Sequence, residues 1–333
     1  MNSYDTVNYK IRPQKQIERG LISQLVNTFS NFIGKRINYI GMGSLYFADF
    51  VFFNKNCTID KMISIEKMMD NGEYNIQKEK RFNFNKPLSE IELIPKSVSE
   101  AIEDLPLSDN NFVWLDYDGQ IEPYMINDLN EIIKKTLATS LIAITYNSGI
   151  ASRYKSKQEI YIEKCEKEYR DFRTQDDTKK FDKDNYSELA LEICEHYLMT
   201  KLQDYNNFYK RKMKFEKISN IKYQDGAKMN TIIWVLVDEA QLDSGLLIEK
   251  LRQCEISGDV NLTMQVLTLY EKQCLDRCNE KDKVNLIKQM GIDQSTVDTS
   301  TEEFFDDLYE QFPANHKPMW YFGHFHGDKY TDD

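Results

Sequence analysis

The sequence predicts an α/β fold: a doubly wound, mainly parallel sheet with a terminal antiparallel hairpin, plus a helical insertion and a helical C-terminal region. Three observations carry this expectation. Apolar runs of strand length alternate with helical periods through the first half of the chain. A glycine turn, Gly41-Met42-Gly43-Ser44, stands between the first strand-like run and an aromatic helical stretch. Two strand-like runs at residues 215–223 and 229–237 flank the turn signal Asp225-Gly226.

Residues up to about Tyr9 read as a tail. A first helix opens near Ile11 and runs to about Phe32, with Ile17, Leu21, Ile22, Leu25, Val26 and Phe29 at helical spacing. Pro13 falls in its first turn, where proline is tolerated. Strands are expected at residues 37–40 and 62–65, and a short third one in the alternating Arg81-Phe82-Asn83-Phe84. A helix begins within residues 95–102. A buried strand follows in Asn111-Phe112-Val113-Trp114-Leu115, ending in the acids Asp116 and Asp118. Residues 126–137 read as an amphipathic helix and residues 140–147 as a strand apolar on both faces, the mark of a parallel sheet covered on both sides. Residues 152–214 are highly charged, with one helical period at 188–202 and a solvated loop around 173–183. Beyond Asp243 two or three helices are expected, with Gly291 a plausible stop. The resulting units are a core at 10–150, an insertion at 151–214, the hairpin at 215–240 and a helical region at 241–333.

The strand, glycine turn, helix and second strand, the last ending in Glu66, form the nucleotide-binding half of a Rossmann-like domain. The glycines let backbone approach a ligand, and the acid accepts from ribose hydroxyls. The bland alternative is a plain strand-to-helix turn beside a surface glutamate.

Bulk properties narrow the classes. A chain of 333 residues with 41% hydrophobic content holds one large or two ordinary domains. A net charge of −11 argues against nonspecific nucleic-acid binding. The six cysteines are scattered; only Cys274 and Cys278 lie close, with no second pair to complete a zinc site. Reduced thiols, no signal-peptide pattern and no membrane-length apolar run together suggest a cytoplasmic protein. No Walker loop, H-E-x-x-H or G-x-S-x-G occurs. Gly323-His324-Phe325-His326, with His316 upstream, looks like the last metal motif of calcineurin-type phosphoesterases, but the other histidines of that set are missing. This aromatic segment is expected to pack on the sheet or form an interface.

The order of elements resembles the class I S-adenosylmethionine-dependent methyltransferases, whose terminal hairpin separates them from dinucleotide-binding Rossmann domains. More specifically, the chain resembles a bacterial family of predicted O-methyltransferases. The matching stretches are Arg12-Pro13-x-Lys15-x-Ile17-Glu18-Arg19, Tyr39-Ile40-Gly41-Met42-Gly43-Ser44-x-Tyr46-Phe47-x-Asp49-Phe50, Met62-Ile63-Ser64-Ile65-Glu66, Val113-Trp114-Leu115-Asp116-Tyr117-Asp118-Gly119 and Tyr223-x-Asp225-Gly226-Ala227-x-Met229. They span roughly residues 10–240. The resemblance implies S-adenosylmethionine as cofactor. Gly41, Gly43 and Ser44 would face its methionine part, Glu66 its ribose, and Asp116, Tyr117 and Asp118 the transferred methyl group; Tyr46 and Asp116 are also expected to bind the cofactor. The chain departs from the family pattern where an acid usually precedes the first glycine and a glycine follows the second: here stand Tyr39-Ile40 and Ser44-Leu45.

Methyl transfer needs a held cofactor, an aligned acceptor and, often, a base. Asp116 or Asp118 can serve as base, or as a metal ligand in a catechol-type enzyme; the alternative is a turn with helix-capping acids. Arg12, Lys15 and Arg19 share one helix face and can bind an anionic, phosphate- or nucleotide-like acceptor; the alternative is a solvated face paired with Glu18. The expected function is therefore methylation of an oxygen or nitrogen on a small or nucleotide-like acceptor. The competing expectation is a catalytically degenerate sensor that binds a nucleotide-derived ligand or a protein partner, of the kind found in bacterial phage defence. Exposed aromatics near the C-terminus also admit a homodimer.

Overall fold

The computed structural model describes residues 13–262, apart from 71, 150–157, 174–177, 225–226 and 241–242, together with residue 277. The expectations for Arg12, the Asp225-Gly226 turn, Cys274 and Cys278, and the histidine-rich C-terminal segment lie outside the described residues.

One eight-stranded sheet organises the molecule. In chain order the elements are α1 (Pro13–Ile33), β1 (Ile37–Gly41), α2 (Ala48–Asn56), β2 (Ile59–Ile65), the small β3 (Met69–Asp70) and β4 (Glu73–Tyr74), α3 (Ile76–Phe84), β5 (Ile91–Ile94), the one-turn α4 (Val98–Ala101), β6 (Asn111–Asp116), α5 (Pro123–Lys135) and β7 (Ser140–Asn147). Then come α6 (Gln158–Glu168), α7 (Tyr186–Tyr209), β8 (Met213–Gln224), β9 (Lys228–Asp238), α8 (Ser244–Arg252) and β10 (Gly258–Leu262). The sheet order is β10-β8-β9-β7-β6-β1-β2-β5. β5, β2, β1, β6 and β7 run parallel, and β9 is antiparallel to both β7 and β8. Successive strands are laid outward from β1 through β2 to β5, then on the other side of β1 as β6 and β7, and this switch in strand order between the parallel β1 and β6 opens a crevice at their carboxyl ends.

The central strands are buried on both faces because each face carries its own core. On one side α1, α2 and α8 pack Ile17, Leu21, Leu25, Phe50, Phe53, Leu247 and Leu251 against Tyr39, Phe112 and Trp114. On the other, α4, α5, α6 and α7 pack Val98, Met125, Ile126, Leu129, Tyr161, Leu189 and Leu198 against Ile40, Val113, Leu115 and Trp234. All six apolar positions that the helical period marks in α1 are buried. The charged stretch 152–214 contributes to this second layer: the 24 residues of α7 lay an apolar face on the sheet, and Trp234 Nε1 donates to Glu195 at 2.9 Å.

Two expectations fail. Residues 81–84 are the end of helix α3, not a strand. Asn75 caps that helix by accepting from the Lys78 N–H at 2.9 Å, Phe82 is buried, and Phe84, which suggested alternation, is 88% exposed. The third parallel strand is β5, whose Ile91, Leu93 and Ile94 are interrupted by Glu92; it pairs with residues 62–65. Second, the region after Asp243 is not purely helical. β10 follows α8 and adds a parallel edge strand to β8, so the hairpin is not the end of the sheet.

Candidate active site

The crevice at the carboxyl ends of β1, β2, β5 and β6 holds a cavity of about 760 Å³. Its walls include Met42, Gly43 and Ser44 after β1, Glu66 and Lys67 after β2, Lys96, Ser97 and Val98 after β5, and Asp116, Tyr117 and Asp118 after β6.

The glycine turn is fastened by side chains of β2. Ser64 Oγ accepts from the Gly43 N–H at 3.1 Å and donates to Glu66 Oε1 at 3.2 Å. The same Glu66 oxygen accepts from the Ser44 N–H at 2.9 Å. Burial pushes the Glu66 carboxyl up to about 7, against the pull of these donors. Gly43 is required sterically: a Cβ there would lie 2.6 Å from Phe47 Cδ1 and 2.9 Å from Ser64 Oγ. Ser44 and Phe47 take φ of 49° and 45°, left-handed values that non-glycine residues hold only where surrounding structure enforces them.

Of the residues that depart from the family pattern, Tyr39, Ile40 and Leu45 point into the cores rather than the cavity. Tyr39 is buried among Phe50, Phe53 and Phe112, at centroid distances of 4.8, 4.9 and 5.5 Å. Its ring covers Gly41, where a Cβ would meet the hydroxyl at 2.5 Å. Leu45 joins the same core. Met42 and Ser44 line the cavity. Gly41 and Tyr46 are not among the wall residues; Tyr46 packs against the core beside them.

Behind the wall, α1 supplies a buried cluster of charges. Lys15 is 3% exposed; its Nζ lies 3.0 Å from Asp116 Oδ1, 2.9 Å from Glu18 Oε2 and 3.2 Å from the Tyr223 hydroxyl, 4.4 Å above the Trp114 ring. Burial alone would lower the Lys15 ammonium, but Asp116 and Glu18 outweigh it and keep it charged, well above its usual range. Burial raises both Glu18 and Asp116, with Lys15 opposing. Arg19, 1% exposed, pairs with Asp49, and both reach the cavity wall. Lys15 and Arg19 are therefore held in ion pairs within the fold rather than displayed on a solvated face. Trp114 Nε1 donates to Thr145 Oγ1 at 2.9 Å, which lies 2.6 Å from Thr231 Oγ1.

The three residues after β6 diverge. Asp116 turns toward Lys15 while still reaching the cavity. The Tyr117 hydroxyl donates to Asp128 Oδ2 at 2.7 Å. Asp118 is exposed in the cavity wall. Sequence reasoning brought together Gly43, Ser44, Glu66 and Asp116–Asp118, which the cavity unites. It missed Lys67, Lys78, Lys96, Tyr124 and Asp128, which reach the wall from helices and loops with no pattern of their own, and it gave no site role to Asp49, which the matching stretch contains. Among the described residues no three His, Cys, Asp or Glu side chains converge to hold a metal ion, and no helix is long and apolar enough to cross a membrane.

A parallel sheet ordered β5-β2-β1-β6-β7, completed by an antiparallel hairpin and carrying a cavity over its carboxyl edge, defines the class I methyltransferase fold. The chain belongs to the family described as "Putative O-methyltransferase", whose model matches residues 7–318. No curated protein matches it in sequence. Solved structures with a similar arrangement include Trm1 from Pyrococcus horikoshii with S-adenosyl-L-methionine, at 12% identity over 69% of this chain and 56% of that one, with a TM-score of 0.41. The O-methyltransferase from Bacillus cereus in complex with SAH is 8% identical over 71% and 95% of the two chains, with a TM-score of 0.29. The plantazolicin methyltransferase BpumL, in complex with an analog and SAH, is 10% identical over 68% and 86%, with a TM-score of 0.35. This chain spans little more than half of the first of these.

Proposed function

We propose that this chain is a methyltransferase that uses S-adenosylmethionine and modifies an oxygen or nitrogen of a small or nucleotide-like acceptor. The observation that carries this reading is the joint presence, around one cavity, of the Gly43–Ser44 turn, Glu66 and the acids Asp116 and Asp118. The residues fit the cofactor. The missing side chain at Gly43 lets backbone form the wall, Glu66 offers a carboxylate to sugar hydroxyls, and the two acids face a cationic sulfonium favourably.

S-adenosylmethionine, when bound, supplies an electrophilic methyl group. The chain's own residues do the rest. Glu66 and the turn orient the sugar. Lys15 fixes Asp116 in place and partly offsets its charge, which suits Asp116 to positioning the cationic end. Asp118, exposed to the cavity, is the better placed base for an acceptor proton. Of the expected anion-binding trio, Arg19 is the described member that reaches the cavity wall and can meet an anionic group there. A cytoplasmic setting is part of this proposal; the free thiols of Cys57, Cys165, Cys194 and Cys254 agree with it.

One observation favours a second reading, a non-catalytic sensor: Asp116 is already engaged by Lys15. Calorimetric titration with S-adenosylmethionine tests the cofactor, and formation of S-adenosylhomocysteine in a cell extract tests turnover. Binding with turnover is the expected result. Binding without turnover in any extract supports the sensor, and no binding overturns the methyltransferase reading and leaves a sensor of another nucleotide-derived ligand or of a protein partner.

A further inference from the structure

The charges that α1 carries into the fold do not balance. Lys15 and Arg19 stand among three carboxylates, Glu18, Asp49 and Asp116. Arg19 is matched by Asp49. Lys15 serves two acids at once, with Nζ 2.9 Å from Glu18 Oε2 and 3.0 Å from Asp116 Oδ1. Tyr39 and Tyr223, packed into the same cluster, stay neutral because burial lifts both hydroxyls well above their usual range. Among the described residues, two cations against three acids leave the cluster a net charge of −1. Of Lys15 and its two acids, Asp116 is the one that meets the cavity.

Glu18 is the surplus acid. It is 0% exposed, it is not among the wall residues, and Lys15 with Asp116 alone would already form a complete pair. A carboxylate buried in excess of its cations costs stability. Its consequence is felt at Asp116. Both acids stand within 3.0 Å of one nitrogen, so the single charge of Lys15 is divided between them. Burial pushes both carboxyls up, and Lys15 is the chief group that opposes it in each. With a neutral residue at position 18, Lys15 would belong to Asp116, and the pair would turn no net charge to the cavity. With Glu18 present, Asp116 keeps a negative charge that Lys15 does not cancel.

We propose that Glu18 is a positioning residue that acts through Lys15: by taking up part of the lysine's charge it leaves Asp116 a net negative wall, which favours the cationic cofactor over its neutral product. This rests on the cofactor reading above, and it requires only that the ligand occupies the cavity that Asp116 lines. Methyl transfer breaks the methyl carbon–sulfur bond and leaves the electron pair on sulfur, so the sulfonium becomes a neutral thioether. The surplus charge that holds the cofactor therefore ceases to hold the product. The contact with Lys15, which favoured the sensor, does not silence Asp116 on this account.

The test is calorimetric titration at pH 8 with S-adenosylmethionine and with S-adenosylhomocysteine, which differ by one methyl group and one positive charge. The ratio of the two affinities is the readout. Glu18→Gln keeps the shape of the side chain and removes the surplus charge. It should lower the preference for S-adenosylmethionine on the order of tenfold, the effect of one charge at roughly 10 Å in a partly buried site, and leave S-adenosylhomocysteine bound nearly as in wild type. Adding Lys15→Met removes the cation as well, returns the cluster to its original net charge, and should restore the wild-type ratio. A packing defect would not be repaired by a second substitution of this kind. A folded Glu18→Gln protein that keeps the wild-type ratio overturns the inference, and so does equal weakening of both ligands, which marks Glu18 as structural. A double variant whose ratio stays well below that of wild type overturns it too, whether or not the single variant folds. In each of these cases binding by wild type still upholds the cofactor reading, whereas a wild type that binds neither compound overturns that reading and this inference with it.

Discussion

The Ser44 N–H donates to Glu66 Oε1 at 2.9 Å, so the acid that follows the second strand is also the fastening of the glycine turn. Ser64 Oγ reinforces the joint from both sides, accepting from Gly43 and donating to Glu66. A left-handed Ser44 is tolerable because this joint holds it. Glu66 therefore has two separable roles: it shapes the loop and it presents a carboxylate to the cavity. Glu66→Ala removes both. Glu66→Gln keeps an acceptor for Ser44 and removes the charge. Cofactor binding should fall further in the alanine variant than in the glutamine variant, and calorimetry on the two resolves the roles.

The raised Glu66 carboxyl also sets a pH dependence. Its folded value is about 7 against 4.5 for the free side chain, because burial disfavours the ionised form. Between those values the folded state holds a proton that the unfolded chain has released. Stability from this group is thus greatest below pH 4.5 and declines as pH rises through about 7. The loss is at most about 3 kcal/mol at 1.36 kcal/mol per pKa unit. Wild type should lose stability relative to Glu66→Gln across that window, and thermal or urea unfolding from pH 4 to 9 measures it. Parallel profiles for the two proteins would mean that Glu66 is well solvated and the joint is loose.

At Gly43 the absent side chain is a packing requirement. A Cβ meets Phe47 and Ser64 inside 3 Å. Gly43→Ala should cost about 1–3 kcal/mol, as overpacked sites do, and loosen the turn. Gly119→Ala is the control. Its Cβ would stand 3.5 Å from Met125 Cε, an ordinary contact, and the change should stay within about 0.5 kcal/mol. Equal effects at the two sites would show that the turn has room to spare.

Legibility in the sequence followed burial. β6 and β7 are buried on both faces and stand out by the unbroken apolar runs Phe112–Leu115 and Leu141–Ile144, β1 is mostly apolar around Asn38, and the 12 and 11 residues of β8 and β9 bracket a turn signal. β5 has four residues with a glutamate among them, and its place was taken in prediction by Phe82 and Phe84, two aromatics that alternate by chance within a helix. The turn and Glu66 were legible because their spacing follows from a strand–turn–helix–strand path. Asp128 was not, because an acid on an amphipathic helix looks the same whether it faces water or a cavity. The same ambiguity hid the burial of Lys15 and Arg19: a basic face and a buried ion cluster have one sequence pattern, and only Asp49 and Asp116, 30 and 101 residues away, distinguish them.

Lys15 is where that difference is largest. It is the cation between the buried Glu18 and the half-buried Asp116, and the Glu18 carboxylate has no other ion partner among the described residues. Lys15→Met keeps the apolar stem over Trp114 and removes the charge. Leaving buried acids without their cation should cost about 3–5 kcal/mol, far above the 1 kcal/mol or less of an exposed pair. Part of this should return in Lys15→Met with Glu18→Gln, because one of the two uncompensated charges is then gone. The sign with pH is fixed as well. Asp116 and Glu18 already titrate above their usual values, and without Lys15 both rise further. The single variant should therefore recover stability relative to wild type as pH falls and these acids take up protons. Urea unfolding of the three proteins at pH 5 and pH 8 measures the coupling. A cost under about 1 kcal/mol that does not change with pH would show that water reaches the cluster and that Asp116 is not held by α1.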